Sequence, residues 1–138
     1  MANSNVKATV QKGVEEIFNK KNLAYIDEFI MPDIVDHSAP PGLPAGIEGY
    51  RMKLAMFTNA FPDLHISYSH HIVDGDMIAG RFTLTGTHQG DFGGIPATGK
   101  QVSVTGHDQL RMSGNKVAEH WVEMDTLGMM QQLGVIPA

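Results

Sequence analysis

The stretch Lys116–Gly134, KVAEHWVEMDTLGMMQQLG, decides the fold because a strand pattern runs directly into a helix pattern at Asp125. Residues up to Met124 alternate between two faces, and this alternation places Trp121 and Asp125 on the same face. The segment TLGMMQQLG then has the pattern of a short amphipathic helix. The sequence therefore predicts a last strand followed at once by a short C-terminal helix.

Upstream of this junction, the second half of the chain repeats the strand pattern. Turn signals separate some of the segments: DGD at residues 74–76 and SGNK at residues 113–116 are typical of tight hairpins. Strands joined in this way are antiparallel. Four strands are predicted: Leu64–Val73, Met77–His88, Gln101–Met112 and Val117–Met124.

The first half of the chain has helical periodicity instead. Helices are predicted at about residues 4–19, with Ser4 as N-cap, at Leu23–Ile30 and at Ile47–Ala60. The segment 31–50 is rich in proline and glycine and is interpreted as a loop. The pattern changes near Pro62, so we expect one α+β domain over residues 1–138, with three helices packed on a curved, mainly antiparallel sheet that begins after Pro62.

Composition excludes several classes of function. The chain has 138 residues, a net charge of −5 and no basic run, so a nucleic-acid partner is not expected. It contains no cysteine and no apolar run near the about 18 residues of a membrane span. Adjacent His70 and His71 point to opposite faces of a strand and cannot share an ion, so no metal is predicted. We expect a soluble cytoplasmic protein.

Asp125 is the main candidate for chemistry, and two interpretations stay open. Aspartate is a favoured N-cap, but Gly128 stands where a capping box would have Glu or Gln. If the face that carries Asp125 and Trp121 lines a cavity, the tryptophan would desolvate the carboxylate and raise its pKa toward that of a general base. The two roles are compatible.

Other candidates depend on the shape of the sheet. His107 lies mid-strand on a polar face and His37 lies in the predicted loop, and for both an exposed position is the simpler interpretation. Met124 and Met129 lie close to Asp125 and could form a soft wall for an apolar ligand. Phe57 lies on the apolar side of the third helix. Trp121, Phe57, Met124 and Met129 are the candidate substrate-binding residues.

Three segments together carry a family resemblance. FPDLHI at residues 61–66, GTHQGDFGGIPATGKQV at residues 86–102 and KVAEHWVEMDTLGMMQQLG at residues 116–134 occur in this order, and the last is the most specific. The chain resembles the SnoaL-like polyketide cyclases, also called ester cyclases, of the cone-shaped superfamily that includes nuclear transport factor 2 and ketosteroid isomerase. The resemblance covers nearly the whole chain.

The resemblance implies a cone-shaped roll around a deep apolar cavity and a homodimer or higher homo-oligomer formed through the sheet. It also implies intramolecular aldol closure of a polyketide ester, without metal or cofactor, with Asp125 as acid/base and His107 and His37 as assisting groups. The alternative is a non-catalytic module that binds a hydrophobic small molecule or dimerises, or a related isomerase or epoxide hydrolase. Burial of Asp125 beside Trp121 would favour the enzyme, whereas an exposed cap would favour the binding module.

Overall fold

The computed structural model describes residues 3–138, and the side chains from Asn5 onward. The side chain of Ser4, the predicted N-cap, lies outside the described residues. A π-helical turn at Glu15–Asn19 extends the first helix, and a 3-10 turn at Leu23–Tyr25 precedes the second. The elements in chain order are α1 Asn3–Val14, α2 Ile26–Phe29, β1 Ile30–Asp36, α3 Ile47–Ala60, β2 His65–Asp74, β3 Met77–Thr87, β4 Gln101–Ser113, β5 Lys116–Met124 and α4 Thr126–Leu133.

The five strands form one curved sheet in the order β1-β5-β4-β3-β2. Strands β2 to β5 are antiparallel to their sequence neighbours, and β1 pairs with β5 in parallel. Both predicted hairpin turns form, with positive φ angles at Gly75 and Gly114. The α+β prediction, with a mainly antiparallel sheet and a short C-terminal helix, is confirmed.

Strand β1 corrects the sequence prediction. The edge strand Ile30–Asp36 begins at the last residue of the second predicted helix and continues into the segment 31–50, which was predicted to be a loop. In chain order it lies between α2 and α3. The prediction that the sheet would begin only after Pro62 is therefore wrong. Pro32 has no N–H to donate, but an edge strand tolerates it, and the pairing register shifts between Ile30 and Val35. The partner strand β5 is distant in sequence, so local pattern did not reveal the pairing.

The helices cover one face of the sheet, and the even-numbered residues of β4 point toward them. The exposure pattern of β4 alternates strictly from Gln101 to Leu110, with each even-numbered residue buried. Gly106 leaves room on this face for the Phe82 ring, because a Cβ at residue 106 would lie 2.5 Å from Cζ of Phe82 and 2.8 Å from the carbonyl oxygen of Glu123. Within residues 3–138, no helix is both long and apolar enough to cross a membrane.

Candidate active site

A cavity of about 100 Å³ lies between the helices and the inner face of the sheet. Its wall is mainly apolar and aromatic. Helices α1 and α3 and all five strands contribute to the wall, whereas the loops between them contribute little. The apolar wall is made by Val14, Phe18, Phe29, Ile30, Leu54, Phe57, Leu64, Ile66, Phe82, Leu84, Leu110, Val117, Val122 and Met124. The polar residues of the wall are Tyr50, Lys53, Tyr68, Asp108 and His120. A few polar groups in an apolar concavity are typical of a small-molecule site.

Asp108 is the carboxyl of this cavity. It is 8% exposed, and the Tyr68 hydroxyl donates a hydrogen bond to its Oδ2. Burial raises the pKa of Asp108 and outweighs the opposing effect of that hydrogen bond. Burial and the neighbouring carboxyl also raise the pKa of Tyr68 well above its ordinary value, so this hydroxyl stays protonated and donates. A desolvated carboxyl in a cavity is the environment of a general acid/base.

A second polar group joins β1, α3 and β5. Lys53 Nζ donates to Asp36 Oδ2 at 2.9 Å, and the backbone N–H of Ser38 donates to Asp36 Oδ1 at 2.9 Å. His120 Nδ1 lies 3.3 Å from Asp36 Oδ1, within ion-pair range but outside hydrogen-bond geometry. Burial opposes ionisation of Asp36, but the contacts with His120 and Lys53 prevail and hold its pKa well below the usual range.

Tyr50 completes the polar part of the wall. Its ring meets the His120 ring edge-on, with centroids 6.3 Å apart. Burial, followed by the charges of Asp36 and Asp108, raises the pKa of the Tyr50 hydroxyl, which therefore remains a hydrogen-bond donor.

Among the described residues, no group of three or more His, Asp or Glu side chains is arranged to hold a metal ion.

Asp125 lies outside the cavity. It is exposed, and its carboxylate caps α4 by accepting a hydrogen bond from Gly128 N at 2.8 Å. The prediction that Trp121 would desolvate Asp125 at the cavity rim is wrong. The predicted face was wrong: His120, Val122 and Met124 line the cavity. Val117, which was predicted on the face of Trp121, lines it too, because the pairing register with β4 shifts between Arg111 and Met112. The catalytic role of Asp125 stays a prediction without the environment that motivated it.

The capping role of Asp125 predicts a specific pair of results. Asp125→Asn should leave stability nearly unchanged, because asparagine caps a helix about as well as aspartate. Asp125→Ala should lower the free energy of unfolding by about 1 kcal/mol, because the N–H of Gly128 loses its acceptor. Urea unfolding of both variants measures this difference, and equal stability of the alanine and asparagine proteins would contradict it.

His37, His107 and Trp121 lie on the outer face of the sheet. The His37 ring stacks on Trp121, with centroids 4.7 Å apart and planes 5° apart, and His37 Nε2 lies 2.6 Å from Glu119 Oε2. Glu119 also accepts from Arg111 Nε at 2.9 Å. His107 is exposed on the same face. These residues are brought together on the outside of the cone, not around the cavity, and the homodimer predicted through this sheet stays a prediction.

The predicted substrate-binding residues divide in the same way. Phe57 and Met124 belong to the cavity wall, and their contact with a substrate stays a prediction. Met129 is 1% exposed and packs in the apolar core beneath α4, and it does not line the cavity. Sequence reasoning missed Asp108, Tyr68, Lys53, Asp36 and His120. For Asp108 a signal was present, because a carboxyl among Val102, Val104, Leu110 and Met112 on one strand face is anomalous.

Comparisons with known proteins cover nearly the whole chain. The sequence profile of the family described as SnoaL-like polyketide cyclase matches residues 8–133. Aklanonic acid methyl ester cyclase DnrD of Streptomyces peucetius is 28% identical over 108 residues, which are 78% of this chain and 72% of that protein. The structure of TsrD from Streptomyces laurentii superposes with a TM-score of 0.88 at 28% identity over 99% of each chain. IdmH from Streptomyces antibioticus, described as a proposed polyketide cyclase, gives 0.80 at 32% identity over 94% of this chain and 98% of that one.

Proposed function

Because this chain belongs to the SnoaL-like polyketide cyclase family, we propose that it closes a ring in a small polyketide-like ester by intramolecular aldol addition. The observation that carries the proposal is Asp108, a buried carboxyl with a raised pKa in the wall of an apolar cavity. The chemistry requires only acid/base groups of the chain itself. We assign the acid/base role to Asp108 rather than to Asp125, which is exposed at the N-cap of α4.

The reaction begins at an acidic C–H between two carbonyl groups. The Asp108 carboxylate takes this proton, and the electron pair of the C–H bond becomes an enolate. The enolate carbon attacks a second carbonyl carbon of the same molecule, a C–C bond forms, and the attacked oxygen becomes an alkoxide. The alkoxide takes up a proton from His120, which lines the same cavity. Asp108 then releases its proton to the solvent and His120 takes one from the solvent, so both groups return to their starting state. The product is an isomer of the substrate.

Tyr68 and the apolar wall support the reaction of Asp108. Tyr68 donates to Asp108 Oδ2 and fixes the orientation of the carboxylate. The aromatic and aliphatic wall, including Phe57 and Met124, holds the flexible chain in a folded conformation and excludes water. Orientation of two reacting groups in one molecule supplies much of the rate acceleration in such reactions. A methyl ester, as in the name of the curated relative, is uncharged and suits this wall.

A binding module remains the second candidate, and the exposed cap at Asp125 is the observation that favours it. In this alternative the cavity holds an apolar molecule without changing it. An isomerase would use the same carboxyl at Asp108 to move a proton, and an epoxide hydrolase would use it to activate water. The isomerase would break a C–H bond of its ligand, the epoxide hydrolase would break a C–O bond, and the binding module would break neither.

Proton exchange tests the proposal without knowledge of the natural substrate. A synthetic β-keto methyl ester with a ketone placed for six-membered ring closure is incubated with the protein in D₂O and followed by NMR. We expect the wild type to accelerate deuterium incorporation at the activated carbon and to produce a cyclised isomer, and Asp108→Asn to do neither. Binding of the ester with no exchange above the buffer rate would favour the binding module.

A further inference from the structure

Lys53 is the lysine of the cavity wall. It lies on α3, where its neighbours in the wall, Leu54 and Phe57, are apolar. Its side chain is 12% exposed. An ammonium group carries three N–H donors, and within residues 3–138 Asp36 is the acceptor recorded for it, through Oδ2 at 2.9 Å. Lys53 therefore has donor capacity left for a ligand in the cavity.

A purely structural role explains this arrangement poorly. A buried ion pair adds little net stability, because desolvation of both groups offsets their attraction. Asp36 also accepts from the backbone N–H of Ser38 at 2.9 Å and lies beside the His120 ring, so the carboxylate does not depend on Lys53 alone. Lys53, but not Asp36, lines the apolar cavity, and a charged group in the wall of such a cavity is instead a common feature of sites that recognise a polar group of a ligand.

The ion pair also determines what chemistry Lys53 can supply. The ammonium group of Lys53 is paired with the Asp36 carboxylate; an ammonium nitrogen has no free lone pair and cannot attack a carbonyl to form a Schiff base. A fixed ammonium group is suited to stabilise negative charge that develops on a nearby oxygen. Asp108 takes a proton from carbon in the proposed reaction, and that step places negative charge on a carbonyl oxygen.

We infer that Lys53 is the oxyanion donor of this cavity and that the site prefers ligands with an anionic oxygen, such as an enolate or a phenolate, over neutral ligands of the same shape. The inference rests on the proposed function. Lys53 keeps its proton throughout: the C–H proton goes to Asp108, the charge moves to the carbonyl oxygen, and Lys53 donates a hydrogen bond to that oxygen. Asp36 is the positioning residue that holds the ammonium group.

Equilibrium binding of two small probes tests this without turnover. The probes are 4-nitrophenolate, at a pH at which it is fully ionised, and 4-nitrotoluene, a neutral molecule of similar shape. We expect Lys53→Met to weaken 4-nitrophenolate binding by about tenfold or more, as for loss of a charge-assisted hydrogen bond, and to change 4-nitrotoluene binding less than about twofold.

Two further variants serve as controls. Lys53→Met leaves Asp36 buried without its cation, so the double variant Lys53→Met/Asp36→Asn removes both charges and should show the same selective loss. Lys12→Met removes an exposed lysine on α1 and should leave both probes unaffected, which separates a local contact from a change of net charge.

Each other outcome has a definite meaning. Undiminished phenolate binding in Lys53→Met and in the double variant would overturn the inference, while the exchange experiment would still decide the proposed function. Equal loss of both probes in both variants would show a structural role for Lys53 and would also overturn it. Failure of the wild type to bind either probe would count against the cavity as a ligand site, and so against the proposed function as well.

Discussion

Replacing Asp108 by asparagine is expected to lower the turnover of any substrate that the wild type cyclises by about 10²–10⁴-fold, the usual contribution of a general acid/base group. The amide has nearly the shape of the carboxylate and can still accept the hydrogen bond from Tyr68, but it cannot take a proton from carbon. The measurement is the turnover rate at saturating substrate, compared for wild type and variant.

The fold of the Asp108→Asn protein should remain intact, and the direction of the pKa shift gives the reason. A carboxyl whose pKa is raised by folding contributes stability that is present below its unfolded pKa and is lost as pH rises through its folded pKa. Asparagine removes the burial penalty that falls on the charged carboxylate, so the neutral amide should be at least as stable as the wild type in its ionised form.

Asp125→Asn is the matched control for Asp108→Asn, because the same chemical change is made at an exposed cap. We expect this variant to keep wild-type turnover. Loss of turnover in Asp125→Asn with full activity in Asp108→Asn would reverse the assignment and restore the role that the family resemblance implies for Asp125.

Replacing Phe61 by alanine is expected to lower the free energy of unfolding by about 3–5 kcal/mol, the usual cost of emptying a fully buried aromatic site. Phe61 is 0% exposed, and its ring centroid lies 5.4 Å from that of Phe92 and 5.5 Å from that of His88. It therefore anchors the segment between β3 and β4 to the end of α3. Urea unfolding measures the loss.

Leu127→Ala is the control for the Phe61 variant. Leu127 is 62% exposed on α4, so its truncation should change the free energy of unfolding by less than about 0.5 kcal/mol. A Phe61→Ala protein as stable as Leu127→Ala would contradict the packing described for this end of the core.

The elements with strong local patterns were predicted well. Helix α3 begins at Ile47 and ends at Ala60, as the spacing of its apolar residues indicated, and the four strands after it begin and end within one residue of prediction. Strand β1 was missed because it is short, contains Pro32 and pairs with a segment at the other end of the chain. Its existence depends on a long-range contact, which periodicity does not encode.

The prediction of the candidate site was wrong at one step, the choice of the face of β5 that points into the cavity. Both faces of this strand carry polar and apolar residues, so the strand alone does not indicate which face is buried. Strand β4 does indicate it, because its even-numbered residues are the apolar ones. Leu110 pairs directly with His120, and Asp108 pairs with Val122, so the inward face of β4 determines that His120 and Val122 point inward as well. The regular register that starts at Met112 and Val117 would keep Asp125 on the inner face; the register shift between Arg111 and Met112 places it outside, and strand periodicity does not predict that shift.

Assignment of proton transfer to Asp108 is tested most directly by a ¹³C NMR titration of the aspartate carboxyl groups, with the Asp108 resonance identified by its absence in Asp108→Asn. We predict that this resonance titrates clearly above the about 3.9 of an ordinary aspartate, because burial in the cavity disfavours the charged form. Addition of a neutral cavity ligand such as 4-nitrotoluene should raise the pKa further, since it displaces water. A resonance that titrates at or below about 3.9, and that does not respond to the ligand, would contradict the assignment.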